Sequence, residues 1–443
     1  MSSTGCPDRF RWHLALAGFL MLLGCWANSG TLAPYAVSLS DPWLLACGYL
    51  ANSDHLVHFQ PFLMLQGAPE SMWQSGIVLR RLLYPILAWP GVYFWGFLYG
   101  GVVTNLLMTL ASGAVWVAFI LRIAGRRAAI VSAWFLATYP GIAYWAGLPY
   151  SYATIVPASL LGAICLWGIA EKHATPIRRL WWYGSGMGLL FTAYDGLAPF
   201  FVPALLWILL RQRRFVTQAW IALLATSWPL ITLLAFLKWG MGANLDSNNS
   251  QIYGTIIKSW LHFYPNWEMG LAKLTELPLL MAKLFFYSNF FFLPLAFLWF
   301  FVAAKPHTPV RRHLVEEALL LTTAVYCVFL NLVPDYPGWQ MRGEWIARIY
   351  QPVFVVFVLY ISRYFSDLAP VPDTTRSKDR LAVLLVAATV FANGWVVLGG
   401  LHVSTISDLV WHDFYQHSQP MQYSANLRRF GTRPLGFCRD SKP

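Results

Sequence analysis

Asp54, His55 and His58 stand within five consecutive positions, in the stretch NSDHLVHFQ (52–60). A carboxylate beside an imidazole can take a proton as a general base or hold a metal ion. At helical spacing Asp54 and His58 share a face. The bland alternative is a solvated loop aspartate. Spacing supplies no third or fourth ligand, so a divalent metal is chemically admissible but not indicated, and no other cofactor is signalled.

Three further groups could act with it. Arg80 and Arg81 precede LLYP (82–85) and suit either phosphate binding or anchoring at lipid head groups. Asp195, in FTAYDGLAPFF (191–201), lies between two apolar stretches. An acid at membrane depth faces a cavity or a partner, so it serves a site or pairs with an external arginine. The segment PDYPGWQMRGEWIARIYQP (334–352) carries Asp335, Arg342, Glu344 and Arg348. Arg348 enters an apolar segment four residues before Pro352. Its guanidinium fork fits an anion such as phosphate, or it pairs with Glu344 at i, i+4.

These residues sit in a chain that is 58% hydrophobic and 11% charged, with mean hydropathy +0.51. Soluble domains carry about 25% charged residues. Apolar segments of roughly 20 residues, the length that crosses a bilayer core, recur at about 12–28, 94–121, 128–146, 153–170, 180–194, 196–210, 216–237, 279–303, 315–333, 347–362 and 381–401. An all-α, polytopic membrane protein of about eleven transmembrane helices is expected, because helices satisfy their own backbone in lipid. An outer-membrane barrel would show short alternating strands instead. The fifth and sixth segments, parted only around Asp195, read as two spans or as one re-entrant pair. Arg9, Arg11, an apolar run and LLGC (22–25) resemble a secretory or lipoprotein signal; because many further spans come after it, an uncleaved first helix is expected.

The charge of +12 is distributed as the positive-inside rule requires. With the N-terminus in the cytoplasm, 18 of the 31 Lys and Arg fall in inner segments, namely Arg9, Arg11, Arg122, Arg126, Arg127, Lys172, Arg178, Arg179, Arg211, Arg213, Arg214, Lys305, Arg311, Arg312, Arg363, Arg376, Lys378 and Arg380. The basicity therefore reads as orientation, not as nucleic-acid binding. The long polar stretches 29–90, 239–278, 334–346 and the tail from 402 become external. The stretch NSQIYGTIIKSWLHFYPNWEMG (249–270) mixes apolar and polar residues at helical spacing, as a short amphipathic helix on the membrane does. Its aromatic residues would also stack on sugar rings. Among the six cysteines there is no C-x-x-C; Cys47 and Cys438 can pair only if both face an oxidising compartment and lie close.

The pattern resembles the C-class membrane glycosyltransferases, the group of the protein O-mannosyltransferases and the bacterial aminoarabinose transferase of lipid A. Three features over residues 12–362 carry the resemblance. The first is the first-loop aspartate, Asp54, with LLYP approaching the second span. The second is TYPGIAYWAGLPYSYATIVPASLLGAICLW (138–167), after which comes the Gly-rich SGMGLLFTAYDGLAPFFVPALLWILL (185–210). The third is Arg348 before Pro352. Many relatives place a second acid directly after the first, where this chain has His55.

The resemblance implies a GT-C-like catalytic module over 1–362, including external loops 29–90 and 239–278, then a cytoplasmic linker and last helix over 363–401, and a tail over 402–443 too short for a carbohydrate-binding domain. It implies a multi-pass inner-membrane enzyme with an external active site. The donor would be a sugar on a polyprenyl phosphate and the acceptor a glycan, lipid or protein. Asp54 would be the general base, with inversion at the anomeric carbon; His55, His58, Arg80, Arg81, Asp195, Arg342 and Arg348 would bind substrate. Membrane lipids are the other expected partners, nucleic acid is not, and the sequence carries no signal of oligomeric state. The rival from another class is a transporter or flippase, which would show repeats, broken helices and charges along a path through both leaflets.

Overall fold

A computed structural model describes residues 7–29, 81–147, 151–171, 176–212, 216–241, 314–332, 351–366 and 376–398. The described residues are helical throughout and contain no strand. In chain order the α-helices are α1 (Pro7–Ser29), α2 (Leu83–Ala124), α3 (Arg126–Thr138), α4 (Pro140–Ala146), α5 (Ile155–Ala170), α6 (Ile177–Ala193), α7 (Ala198–Arg211), α8 (Val216–Ala235), α9 (Leu314–Leu332), α10 (Gln351–Tyr364) and α11 (Arg376–Val397). Short 3₁₀ turns lead into α5 (Ser151–Thr154) and α7 (Asp195–Leu197).

Each apolar segment read from the sequence falls on one of these helices, except 128–146, which falls on two, and 279–303, which lies outside the described residues. By length and composition, three stretches among the described residues can cross a membrane: Gly100–Ala124, Ser151–Ala170 and Thr217–Gly240. The segment 128–146 is two helices. Pro140 pushes the residue before it out of the helical region, and Tyr139 is extended at φ −73°, ψ 112°. The stretch around Asp195 resolves likewise into two helices, α6 and α7, separated by the 3₁₀ turn.

Two helices form the centre. α5 is buried over most of its length and packs on α2, α6, α7, α9 and α10. α10 is buried on nearly every side, and its Phe354 stacks on Tyr139 with ring centroids 3.7 Å apart. α2 and α8 lie outside, each with an apolar face turned outward. That is the arrangement lipid tails call for, since only the inner faces have protein to meet.

α6 and α8 run side by side through a small-residue seam. Gly184 and Gly188 of α6, four apart, meet Ala222, Ala225 and Thr226 of α8. A side chain at Gly188 would overlap the Thr226 carbonyl. Small residues at this spacing let helix backbones approach closely where no hydrophobic force drives them together.

Several of the described basic residues, Arg122, Arg179, Arg211 and Arg363, gather at one end of the bundle. Arg122 and Arg179 both reach Glu171, at 3.5 and 3.9 Å, and Arg211 reaches Glu317 at 3.2 Å. The Gln212 amide donates to the Ala170 carbonyl at 2.8 Å. These exposed pairs contribute little energy individually. A buried pair lies among them. Arg363 Nε donates to Glu316 Oε1 at 2.7 Å and Arg363 Nη1 to the Ile123 carbonyl at 3.0 Å, while the Tyr360 hydroxyl donates to the Glu316 carbonyl at 2.9 Å. The ends of α2, α9 and α10 are thereby joined. The opposite end holds the start of α2, the turn before α5 and the turn before α7.

Replacing Gly188 with Leu is expected to force α6 off α8. Overpacking of this kind costs about 1–3 kcal/mol or more, so thermal unfolding of the detergent-solubilised protein should fall by several degrees. Gly113→Ala, whose new methyl would meet only Leu136 at 3.9 Å, should leave the transition unchanged. Equal stability of the two variants would contradict the seam.

Candidate functional site

At the end away from the basic cluster, Arg81 meets Asp195 across 114 positions of chain. Local structure sets both. Arg81 lies in the turn that opens α2, where Leu82 is already helical and its carbonyl accepts from the Ile86 amide at 3.0 Å. Asp195 comes directly after Tyr194, whose extended backbone (φ −153°, ψ 109°) ends α6. Pro199, in the first turn of α7, fits a helix start, where its missing N–H costs no bond. Asp195 is thus held on a short turn between two helices that cannot merge.

Arg81 Nε and Nη2 both lie 2.9 Å from one oxygen, Asp195 Oδ1. The side chains are 12% and 18% exposed. Oδ2 of Asp195 and Nη1 of Arg81 have no hydrogen-bond partner among the described residues. Among the described residues, Asp195 Oδ2 and Arg81 Nη1 are thus left side by side without a partner.

Aromatic rings wall it. The Arg81 guanidinium carbon lies 4.3 Å from the Tyr194 ring centroid and 5.7 Å from that of Tyr152. Tyr152 meets Tyr194 edge-on at 6.1 Å and Trp145 edge-on at 5.1 Å. Burial works against the charge on Arg81, but Asp195 and the adjoining Tyr194 and Tyr152 outweigh it and hold its pKa above the ordinary arginine value. The Thr154 hydroxyl donates to the Ser151 carbonyl at 2.6 Å, closing the turn that carries Tyr152.

Of the residues singled out in the sequence, the structure brings Arg81 and Asp195 together. Asp54, His55, His58, Arg80, Arg342 and Arg348 lie outside the described residues. Asp195 pairs with Arg81. Sequence reasoning did not single out Tyr152, Tyr194 and Trp145. The one signal for Tyr194 is its place beside Asp195. No cluster of three or more His, Cys, Asp or Glu that could hold a metal occurs among the described residues.

An uncompensated buried charge is costly, and removing one partner of a buried pair typically costs about 3–5 kcal/mol. Arg81→Gln and Asp195→Asn are each expected to lower thermal stability markedly. The double variant Arg81→Leu with Asp195→Leu should regain much of that loss. Strictly additive losses in this cycle would show that the two charges do not depend on each other.

The chain matches no protein-family profile, and no curated protein or solved structure is similar to it.

Proposed function

We propose that this protein is a membrane glycosyltransferase that moves a sugar from a polyprenyl phosphate to a glycan, lipid or protein acceptor. The observation that carries the reading is the mostly buried Arg81–Asp195 pair with Tyr152 and Tyr194 against the guanidinium and Trp145 behind Tyr152. A guanidinium with a free edge suits a phosphate oxygen. A carboxylate with a free oxygen suits a sugar hydroxyl, and aromatic faces suit a sugar ring. The pair lies at the end opposite the basic cluster. With the basic end in the cytoplasm, as the positive-inside rule has it, the site opens on the external side of the cell membrane.

In this reading an acceptor hydroxyl oxygen attacks the anomeric carbon, with inversion. Its proton passes to Asp54, and the bond from the anomeric carbon to the phosphate oxygen breaks. The electron pair leaves with the phosphate, held by Arg348 with Arg342 and Arg80. Arg81 contributes through Nη1, its other donors being engaged by Asp195. His55 and His58 would bind substrate.

Among the described residues the interior between the two ends is mostly apolar, which favours this reading over a transport path. Most buried hydroxyls there are spent on their own helices. Thr109 donates to the Asn105 carbonyl at 2.7 Å, Ser159 to Ile155 at 2.6 Å, Thr226 to Ala222 at 2.8 Å and Thr323 to Leu319 at 2.8 Å.

The test is transfer by the protein in nanodiscs from radiolabelled polyprenyl-phosphate sugars. Loss of a general base costs roughly 10²–10⁴-fold, so Asp54→Asn should reduce transfer by at least that order while the protein still elutes as a folded species. Undiminished transfer by that variant would remove Asp54 from the mechanism. Movement of a lipid-linked or small polar substrate across the bilayer, with no donor turned over, would replace the proposal with a transporter.

A further inference from the structure

No charged residue occurs between Arg81 and Arg122. The helix over this run, α2, has 42 residues. Straight, it would be about 63 Å long at 1.5 Å per residue, roughly twice the thickness of a hydrocarbon core. The helix is not straight. Gly91 and Gly100 touch backbone to backbone, and a Cβ at Gly91 would lie 3.3 Å from the Gly100 Cα. The same Cβ would lie 3.1 Å from the Thr104 hydroxyl. Nine residues of straight helix would hold the two glycines about 13 Å apart. Tyr84 lies beside Asn105, which a straight helix would place about 31 Å away. The chain therefore bends sharply, and residues 83–95 fold back along the second arm, which carries Gly100 and Thr104. Pro90 lies just before the bend, where it removes a helical hydrogen bond.

The folded-back arm has two faces. Tyr84, Ala88 and Val92, spaced by four, are buried. Ile86, Leu87, Tyr93, Phe94 and Trp95 are exposed, and Phe94 is 73% exposed. Tyr93 and Phe94 meet edge-on at 5.3 Å at the bend. The exposed side is thus apolar along the arm, with a Tyr and a Trp at the tip.

Lengths set the depth. The second arm, Gly100–Ala124, has 25 residues and ends beside the basic cluster. That is about 37 Å, enough to cross the hydrocarbon and enter the opposite head-group layer. The tip lies beyond Gly100. Arg81, at the root of the first arm, reaches Tyr152 in the opening turn of the Ser151–Ala170 span. Those 20 residues cover about 30 Å, one hydrocarbon thickness.

We infer that the Tyr93–Trp95 tip of this helical hairpin docks in the lipid head-group layer of the leaflet on the Arg81 side, and that the hairpin holds the Arg81–Asp195 pair at that leaflet's hydrocarbon edge. Tyr and Trp favour this layer because they pair an apolar ring with a polar handle. The tip has no charge that would carry it into water. The inference does not depend on the reaction the protein performs.

The experiment places a nitroxide at Phe94→Cys in an otherwise cysteine-free chain, in phosphatidylcholine–phosphatidylglycerol vesicles. Collision with oxygen and with a nickel chelate reports depth. The expected position is the head-group layer. A Leu107→Cys label on the second arm, seven residues past Gly100 and so further still from the tip, should lie at least roughly 10 Å deeper. Full access of the Phe94 label to the chelate, or a depth equal to that at Leu107, would overturn the inference. So would spin–spin broadening that disappears on dilution with unlabelled protein, which would assign the tip to a second copy. If the cysteine-free chain fails to fold, benzoylphenylalanine at position 94 of the native chain gives the same decision. Lipid adducts support the docking, and adducts to protein or none at all overturn it.

Discussion

A charge cannot remain alone where water is excluded. Arg81 and Asp195 answer that constraint together, and the surrounding end of the molecule is built to let them meet. Leaving either in an apolar environment without the other would cost several kcal/mol. The bend in α2 sets where Arg81 starts. The break at Tyr194 and the 3₁₀ turn set where Asp195 projects, and the turn at Ser151–Thr154 brings Tyr152 against them. Because both Arg81 donors converge on Oδ1, the pair is neutralised without being exhausted. Among the described residues the pair keeps Arg81 Nη1 and Asp195 Oδ2 without a partner, which makes it the candidate site.

The other buried pair illustrates the contrast. Glu316 and Arg363 lie among exposed basic residues, and Arg363 spends a further donor on the Ile123 carbonyl. This network ties helix ends together. The bundle thus has two chemically different ends. One is a basic rim closed by ion pairs to Glu171, Glu316 and Glu317, and the other an aromatic enclosure around a single pair. Between them the interior is filled by Phe, Leu, Val and Ala, with Ser and Thr hydroxyls turned back on their own helices.

Much of the helical architecture was legible in the sequence because lipid imposes a blunt rule: apolar stretches of a given length become helices. The breaks within those stretches depend on single residues and are harder to read. Pro140 splits 128–146 after Tyr139, and Tyr194–Asp195 separates α6 from α7. The fold-back of α2 leaves only faint marks in the sequence, Pro90, Gly91 and Gly100 within a long charge-free run. Its hydropathy alone reads as one span over 94–121. Asp195 was recognisable as an acid in need of a partner. Which arginine would serve could not be read from a pairing of residues 114 positions apart. Tyr152, Tyr194 and Trp145 were invisible for a different reason. In a chain with 21 Tyr and 23 Trp, three more aromatics carry no signal until geometry groups them.

The central claim is that the Arg81–Asp195 end receives a lipid-linked phosphate. The most direct measurement is photolabelling with a polyprenyl-phosphate sugar that carries a diazirine near the phosphate, and then mapping of the modified peptides. The account predicts adducts in the peptides around residues 81–95, 145–152 and 194–199, reduced by excess unlabelled donor. Adducts confined to the basic end, around residues 122–127, 171–179 and 363–366, would contradict it.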